Sequence, residues 1–281
     1  MARHHYVPKA ILKNFLVTET GTYYYNRPQA ESGPENRNIG TIFCRRHFNS
    51  YLTNDGKRDA TVEKFFAEEL DNHIPHWIKV FEDGIKTGDF QFKSPTDRNR
   101  FVQFFYNHTK RSPDFLDPIV RTTKEKVFHS NYIEELEKRV RKLTPEEARR
   151  IHSPEFVERT LANSRVVNLS RQSEEILDTL NGMVIVAATP MRANKQFVVG
   201  SNPVIRFESY PQQRLGEDGV ELWTTLTPKL AVGFVCGPVS TETVFLSDDL
   251  VRKINLTIAK NSRAIAGRSE KLLLSLGRSA W

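Results

Sequence analysis

The chain has 281 residues, 38% hydrophobic and 10% aromatic, with 41 Lys and Arg against 34 Asp and Glu and a formal charge of +7. That balance excludes an intrinsically disordered chain, and a chain this long can bury a substantial core. No apolar run reaches the roughly 18 residues that cross a bilayer, and the opening Met-Ala-Arg-His-His-Tyr-Val-Pro lacks an apolar signal stretch, so the expectation is a cytoplasmic protein with no membrane partner.

In chain order, Pro8 opens a short predicted helix over 7–15, Thr22-Tyr23-Tyr24-Tyr25 reads as a strand, and the Pro, Gly and Asn of 29–38 read as a loop. From 61 the period changes. Val62, Phe65, Phe66, Leu70, Ile74, Trp77, Ile78 and Phe81 recur at three- and four-residue spacing, predicting a helix of about 20 residues that Pro75 kinks or ends early. Ser94-Pro95-Thr96-Asp97 starts another, with Phe101, Phe104, Phe105 and His108 on one side until Ser112-Pro113. A long charged helix is expected over 116–143, with Ile119, Val127, Ile133, Leu136 and Val140 facing inward. Thr144-Pro145 and Ser153-Pro154 have the cap-then-proline form of helix starts, and 170–180 reads as helical. Beyond Asn181-Gly182 the runs 183–189, 195–199, 221–225 and 230–235 are β-rich, and Ser247-Asp248-Asp249 opens a last helix carrying Val251, Ile254 and Ile258. The expected fold is α+β in a single domain: a β/loop segment (1–60), a mostly helical central block (61–180), and a β-rich segment with a C-terminal helix (181–281). A small mixed β-sheet formed by the N- and C-terminal segments would close over the helices.

The charge is uneven. Residues 61–83 are net negative, whereas 121–171 and 250–281 are net positive. The adjacent His4 and His5 offer acid, base or metal-ligand chemistry near neutral pH. On a regular helix Glu63 falls within the apolar arc, where a carboxylate needs a partner or a raised pKa. Glu69, His73 and His76 lie on its flank at a spacing that offers three ligands to one metal. Lys110 and Arg111 end the aromatic helix, where an arginine offsets the helix dipole or clamps a phosphate or carboxylate. Gly200-Ser201-Asn202-Pro203 follows a predicted strand and puts small hydrogen-bonding side chains at a sheet end. Asn255 shares the last helix with Arg252 and Lys253. Walker, G-x-S-x-G and H-E-x-x-H signatures are missing, and the two cysteines, Cys44 and Cys236, do not make a disulfide framework.

His4-His5-Tyr6-Val7-Pro8 with Leu12 and Phe15, Glu63 with Glu69, Arg111-Ser112-Pro113, Asn202-Pro203-Val204, Leu226-Thr227-Pro228 and Asn255 occur in an order that resembles a bacterial family, domain of unknown function 4238. The resemblance covers essentially the whole chain. It implies which residues matter rather than what they do. Where the family pattern has Ser-Asp-Asn-Pro this chain has Gly200-Ser201-Asn202-Pro203, so an acidic residue is replaced by Ser201 or its role passes to another carboxylate.

Three functions fit this inventory. In a nuclease of toxin or phage-defence type, His4 or His5 would be acid or base and Glu63 and Glu69 base or ligands for a divalent metal ion. Arg111 would hold phosphate, Asn202 and Asn255 would donate hydrogen bonds, and Lys110, Ser201, Arg252 and Lys253 would bind RNA or DNA. In a non-catalytic nucleic-acid- or protein-binding module, the same side chains form a structural polar network, with Glu63 paired to Arg111. An enzyme acting on a small phosphate ester is the third.

Overall fold

The computed structural model describes residues 3–127, 132–139, 141–151 and 153–281. The strands are β1 (Arg3–His5), β2 (Gly21–Asn26), β3 (Glu35–Asn38), β4 (Cys44–Arg46), β5 (Tyr51–Leu52), β6 (Arg58–Asp59), β7 (Val184–Pro190), β8 (Val199–Gly200), β9 (Val204–Phe207), β10 (Glu221–Thr227), β11 (Leu230–Val235), β12 (Thr241–Leu246) and β13 (Ala264–Gly267). The α-helices are α1 (Lys9–Leu12), α2 (Thr61–Phe65), α3 (Ile74–Thr87), α4 (Pro95–Lys110), α5 (Pro113–Val127), α6 (Tyr132–Arg139), α7 (Pro145–Ile151), α8 (Pro154–Ser170), α9 (Glu174–Asn181), α10 (Asp248–Asn261) and α11 (Glu270–Ala280). The fold is α+β.

Serine hydroxyls cap the helices as their sequence positions suggest. Ser94, Ser153, Ser173 and Ser247 each accept the backbone N–H three residues on. Thr144 and Glu147 cap each other reciprocally at the start of α7.

A five-stranded sheet of order β12-β7-β11-β10-β9 is antiparallel except for the parallel β12–β7 pair. Alternation along β7 sends Ile185 and Ala187 into one core and Val184, Val186 and Ala188 into the other. On the first face Trp77, Phe81, Phe101, Phe104 and Phe105, from α3 and α4, are almost fully buried, and Phe105 lies 4.5 Å from Phe234 of β11. The second face packs Val251, Ile254 and Ile258 of α10. Both faces being covered explains why β7 reads as an unbroken apolar run. Within this sheet Trp223 lies directly across from Gly233, where an added Cβ would come within 2.6 Å of the indole.

The two chain ends meet in a separate four-stranded sheet, β3-β2-β13-β8, in which every pairing is antiparallel. The mixed sheet is therefore the C-terminal one, and the sheet that joins the chain ends is not mixed.

Other expectations are corrected. The acidic segment is not one regular helix. α2 runs into a π-helical turn (Phe66–Leu70) and a 3₁₀ turn (Asp71–His73) before α3 begins, with Pro75 in its first turn, where a missing N–H costs nothing. Residues 29–38 hold a 3₁₀ turn (Arg27–Ser32) and β3 rather than a loop. Of the long helix expected over 116–143, the described residues are helical over Pro113–Val127 (α5) and Tyr132–Arg139 (α6), and 128–131 and 140 lie outside the described residues, as does the side-chain placement expected of Val127, Ile133, Leu136 and Val140. The strand expected over 195–199 reduces to β8, and β13 and α11 follow the helix expected to be last.

Candidate functional site

The N-terminal box forms β1, which pairs antiparallel with β4. Period-two alternation puts His4 and its cross-strand partner Arg45 on one face, and Arg3 with Arg46 and His5 with Cys44 on the other. The backbone on both sides of β4 is strained. Phe43 (φ 48°) just before it and His47 (φ 52°) in the loop after it adopt left-handed backbone that non-glycine residues enter at a cost of about 1 kcal/mol or more.

That loop carries Asn49 beneath His4. The backbone N–H of Asn49 donates to His4 Nδ1 at 3.0 Å, and its side-chain Nδ2 donates to Glu63 Oε2 at 2.6 Å. His4 Nδ1 lies 3.8 Å from the same carboxylate oxygen. Accepting at Nδ1 assigns His4 the neutral Nε2–H tautomer. Burial, reinforced by His47 and Arg111 and opposed by Glu63, holds its pKa below the ordinary value. Asn49 is wholly buried and its Oδ1 has no hydrogen-bond partner among the described residues. Glu63 keeps a quarter of its side chain exposed (25%), so it borders the buried stripe and does not lie within it.

Arg111, at the C-terminal end of α4, is buried (2% exposed). Its Nη1 and Nη2 donate to Asp71 Oδ1 and Oδ2 at 2.7 and 3.1 Å, and Nη2 also donates to the His5 carbonyl at 2.9 Å. The ring of Phe66 lies 4.6 Å from the guanidinium carbon. The expected partner Glu63 is thus replaced by Asp71, which the 3₁₀ turn after the π-helical turn presents to α4. His5 Nε2 lies 3.2 Å from the Ile39 carbonyl, and burial takes the pKa of His5 down to about 4. A neutral His5 donates that bond.

A second polar cluster starts from Ser112, whose Oγ donates to the Ser201 carbonyl at 2.9 Å and accepts the Asp114 N–H at 3.0 Å. Ser201 Oγ donates to Asp114 Oδ2 at 2.8 Å and accepts from the backbone N–H of Arg263 at 2.8 Å and of Ala264 at 3.3 Å. Asp114 is thus the carboxylate that Ser201 meets. Arg263 bridges Asp114 (2.9 Å) and Asp117 (3.0 Å), and Arg45 grips Asp117 with two hydrogen bonds of 3.0 and 3.1 Å. The sequence signal for this cluster is the Asp-x-x-Asp of Asp114 and Asp117, which follows Arg111-Ser112-Pro113 on the first turn of α5.

The remaining candidates serve elsewhere. Asn255 Oδ1 accepts the Val198 N–H at 3.0 Å and its Nδ2 donates to the Gln196 carbonyl at 2.9 Å, so it replaces a strand partner for that segment. Asn202 is tied through its backbone N–H to Ser262 Oγ at 3.1 Å. Lys110 donates to the Leu169 and Arg171 carbonyls at the C-terminus of α8, and burial brings its pKa down to about 8. Arg252 is exposed, and Lys253 lies 4.5 Å from the Phe207 ring centre. The expected metal triad does not assemble, because the π and 3₁₀ turns break the regular 100° step that would align it. Glu69 faces Arg100 at 4.0 Å, His73 stacks on Trp77, and His76 bonds Asp97 at 3.2 Å. Among the described residues no group of three or more His, Cys, Asp and Glu is placed to hold a metal ion.

A family model described as "Protein of unknown function (DUF4238)" matches residues 3–271. No curated protein and no solved structure matches the chain.

Proposed function

Starting from the chain's membership of the DUF4238 family, we propose that this protein is a non-catalytic module that binds nucleic acid, and that the motif residues shared with the family hold its fold. The observation that carries this reading is the closed fork of Arg111. Both terminal nitrogens are engaged by Asp71 and the His5 carbonyl, and only the buried Nε lacks a partner among the described residues, so the fork best suited to a phosphate is already held by the protein's own groups. The other motif side chains support it in the same way: His4, Ser201 and Asn255 each bond the protein's own backbone. Positive charge left outside these pairs, a net +7 over the chain, attracts the polyanion.

One observation favours the hydrolase reading. Asn49 Oδ1 lies buried and unpartnered beside Glu63, whose carboxylate reaches solvent. A bound water or divalent metal ion there would turn the His4–Asn49–Glu63 group to chemistry.

The test is to incubate labelled RNA and DNA with the wild type, His5→Ala and Glu63→Gln, with and without divalent metal. Retention of intact strands by all three proteins is expected. Fragments that the wild type makes and Glu63→Gln does not would overturn the module and restore the nuclease.

A further inference from the structure

Arg3 and Arg46 of the β1–β4 ribbon are exposed and take no part in the buried network that holds His5. Arg3 and Arg46 are direct cross-strand partners there, so their Cβ atoms lie about 5 Å apart and two like charges are held opposite each other at an energetic cost. Among the described residues neither makes an ion pair. They line a recess of about 420 Å³ together with Arg37, Thr41 and Cys44. Arg37 has one carboxylate neighbour, Glu35 at 2.8 Å, and the field of Lys9 also reaches Cys44. Three guanidinium groups thus line a concavity with a single acid at its rim. Guanidinium forks suit the oxygens of a phosphate group, and a concave site excludes part of the competing water.

A second recess of about 270 Å³ adjoins the first, with Arg37 in the wall of both. It presents Tyr24, Asn26, Gln29 and Glu35, which are an aromatic ring and amide and carboxylate groups. We infer that the arginine recess binds a phosphate group of a nucleotide chain and that the adjoining recess receives the sugar or base attached to it. This deepens the nucleic-acid reading and rests on it for the identity of the ligand.

Cys44 lies in the wall of the recess and Cys236 does not line it, so the two cysteines of the chain provide an internal comparison. The experiment has two arms. In the first, the rate of alkylation of each thiol by N-ethylmaleimide is followed by mass spectrometry with and without inorganic pyrophosphate. Pyrophosphate is expected to slow Cys44 several-fold and leave Cys236 unchanged. In the second, binding of a single-stranded RNA is measured for the wild type, Arg3→Gln/Arg46→Gln and the control Arg278→Gln on α11. The double variant is expected to bind at least tenfold more weakly, with a smaller dependence on salt, and the control to match the wild type. Because Arg3 and Arg46 are exposed, both variants should fold, which their thermal midpoints check. RNA bound equally by all three proteins, with Cys44 unprotected, overturns the recess and leaves the module standing. Pyrophosphate protection of Cys44 with no RNA bound by the wild type overturns the nucleic-acid reading and leaves a small-anion site.

Discussion

Arg111 and Asp71, forty residues apart in the chain, are joined by two parallel hydrogen bonds of 2.7 and 3.1 Å, with the arginine sealed beneath Phe66. The same guanidinium fastens the carbonyl of His5. One side chain thereby ties the N-terminal strand, the distorted acidic segment and the end of α4 together. Charge pairing at this depth specifies an arrangement more than it adds stability, but either charge left alone there is costly.

The buried histidines make stability depend on pH. Burial lowers the pKa of His108 to about 3 and that of His5 to about 4, and among the described residues neither nitrogen of His108 has a hydrogen-bond partner. The unfolded chain takes up these protons near 6.5, so between that pH and the folded values the unfolded state holds more protons. The contribution is complete above about 6.5 and is lost as pH falls toward 4 and 3. Denaturant midpoints measured from pH 7 to pH 4 should fall steadily. The slope should be shallower in His108→Phe, which keeps the stacking on Phe104 without a titrating ring. A midpoint that stays flat over this range would show that these rings are hydrated in the native state.

His4 should resist protonation. Its Nδ1 accepts the Asn49 N–H, and burial opposes the charged form. Nitrogen-15 spectra are expected to show the Nε2–H tautomer at pH 7 and a ring still neutral as pH passes below 6.5. A proton on Nδ1 at neutral pH would mean that the Asn49 contact is absent in solution.

Ser201→Ala should be costly for so small a change. It removes a donor to Asp114 and the acceptor shared by the N–H groups of Arg263 and Ala264, at a site only 3% exposed. Stranding these groups should lower unfolding free energy by about 2 kcal/mol. A loss below about 0.5 kcal/mol would indicate that water replaces the hydroxyl.

The readable parts of the sequence were those with a local cause. Serine before a helix, the polar-to-apolar step at β7 and the aromatic stripe of α4 are each decided within a few residues, and each forms where the sequence puts it. The spacing of the acidic segment fits a regular helix, whereas a π-helical turn rotates everything beyond Phe66. Asp71 moves from an unremarked flank to the grip on Arg111, and Glu69, His73 and His76 separate. Asp114 and Asp117 escaped notice because their partners, Ser201, Arg263 and Arg45, are brought to them only by tertiary folding. The C-terminal β13 was missed for a similar reason, since its strand partners are β2 and β8.

The structural role of the motif residues is tested most directly by a double-mutant cycle on the pair that binds them together. Denaturant unfolding of the wild type, Arg111→Gln, Asp71→Asn and the double variant gives the coupling free energy. Each single substitution should cost about 3 kcal/mol, and the double variant should cost little more than either alone, because the second change removes the charge that the first left unpaired. Single losses that simply add, or that stay below about 0.5 kcal/mol, would contradict a structural pair and return Arg111 to the list of side chains free to meet a phosphate.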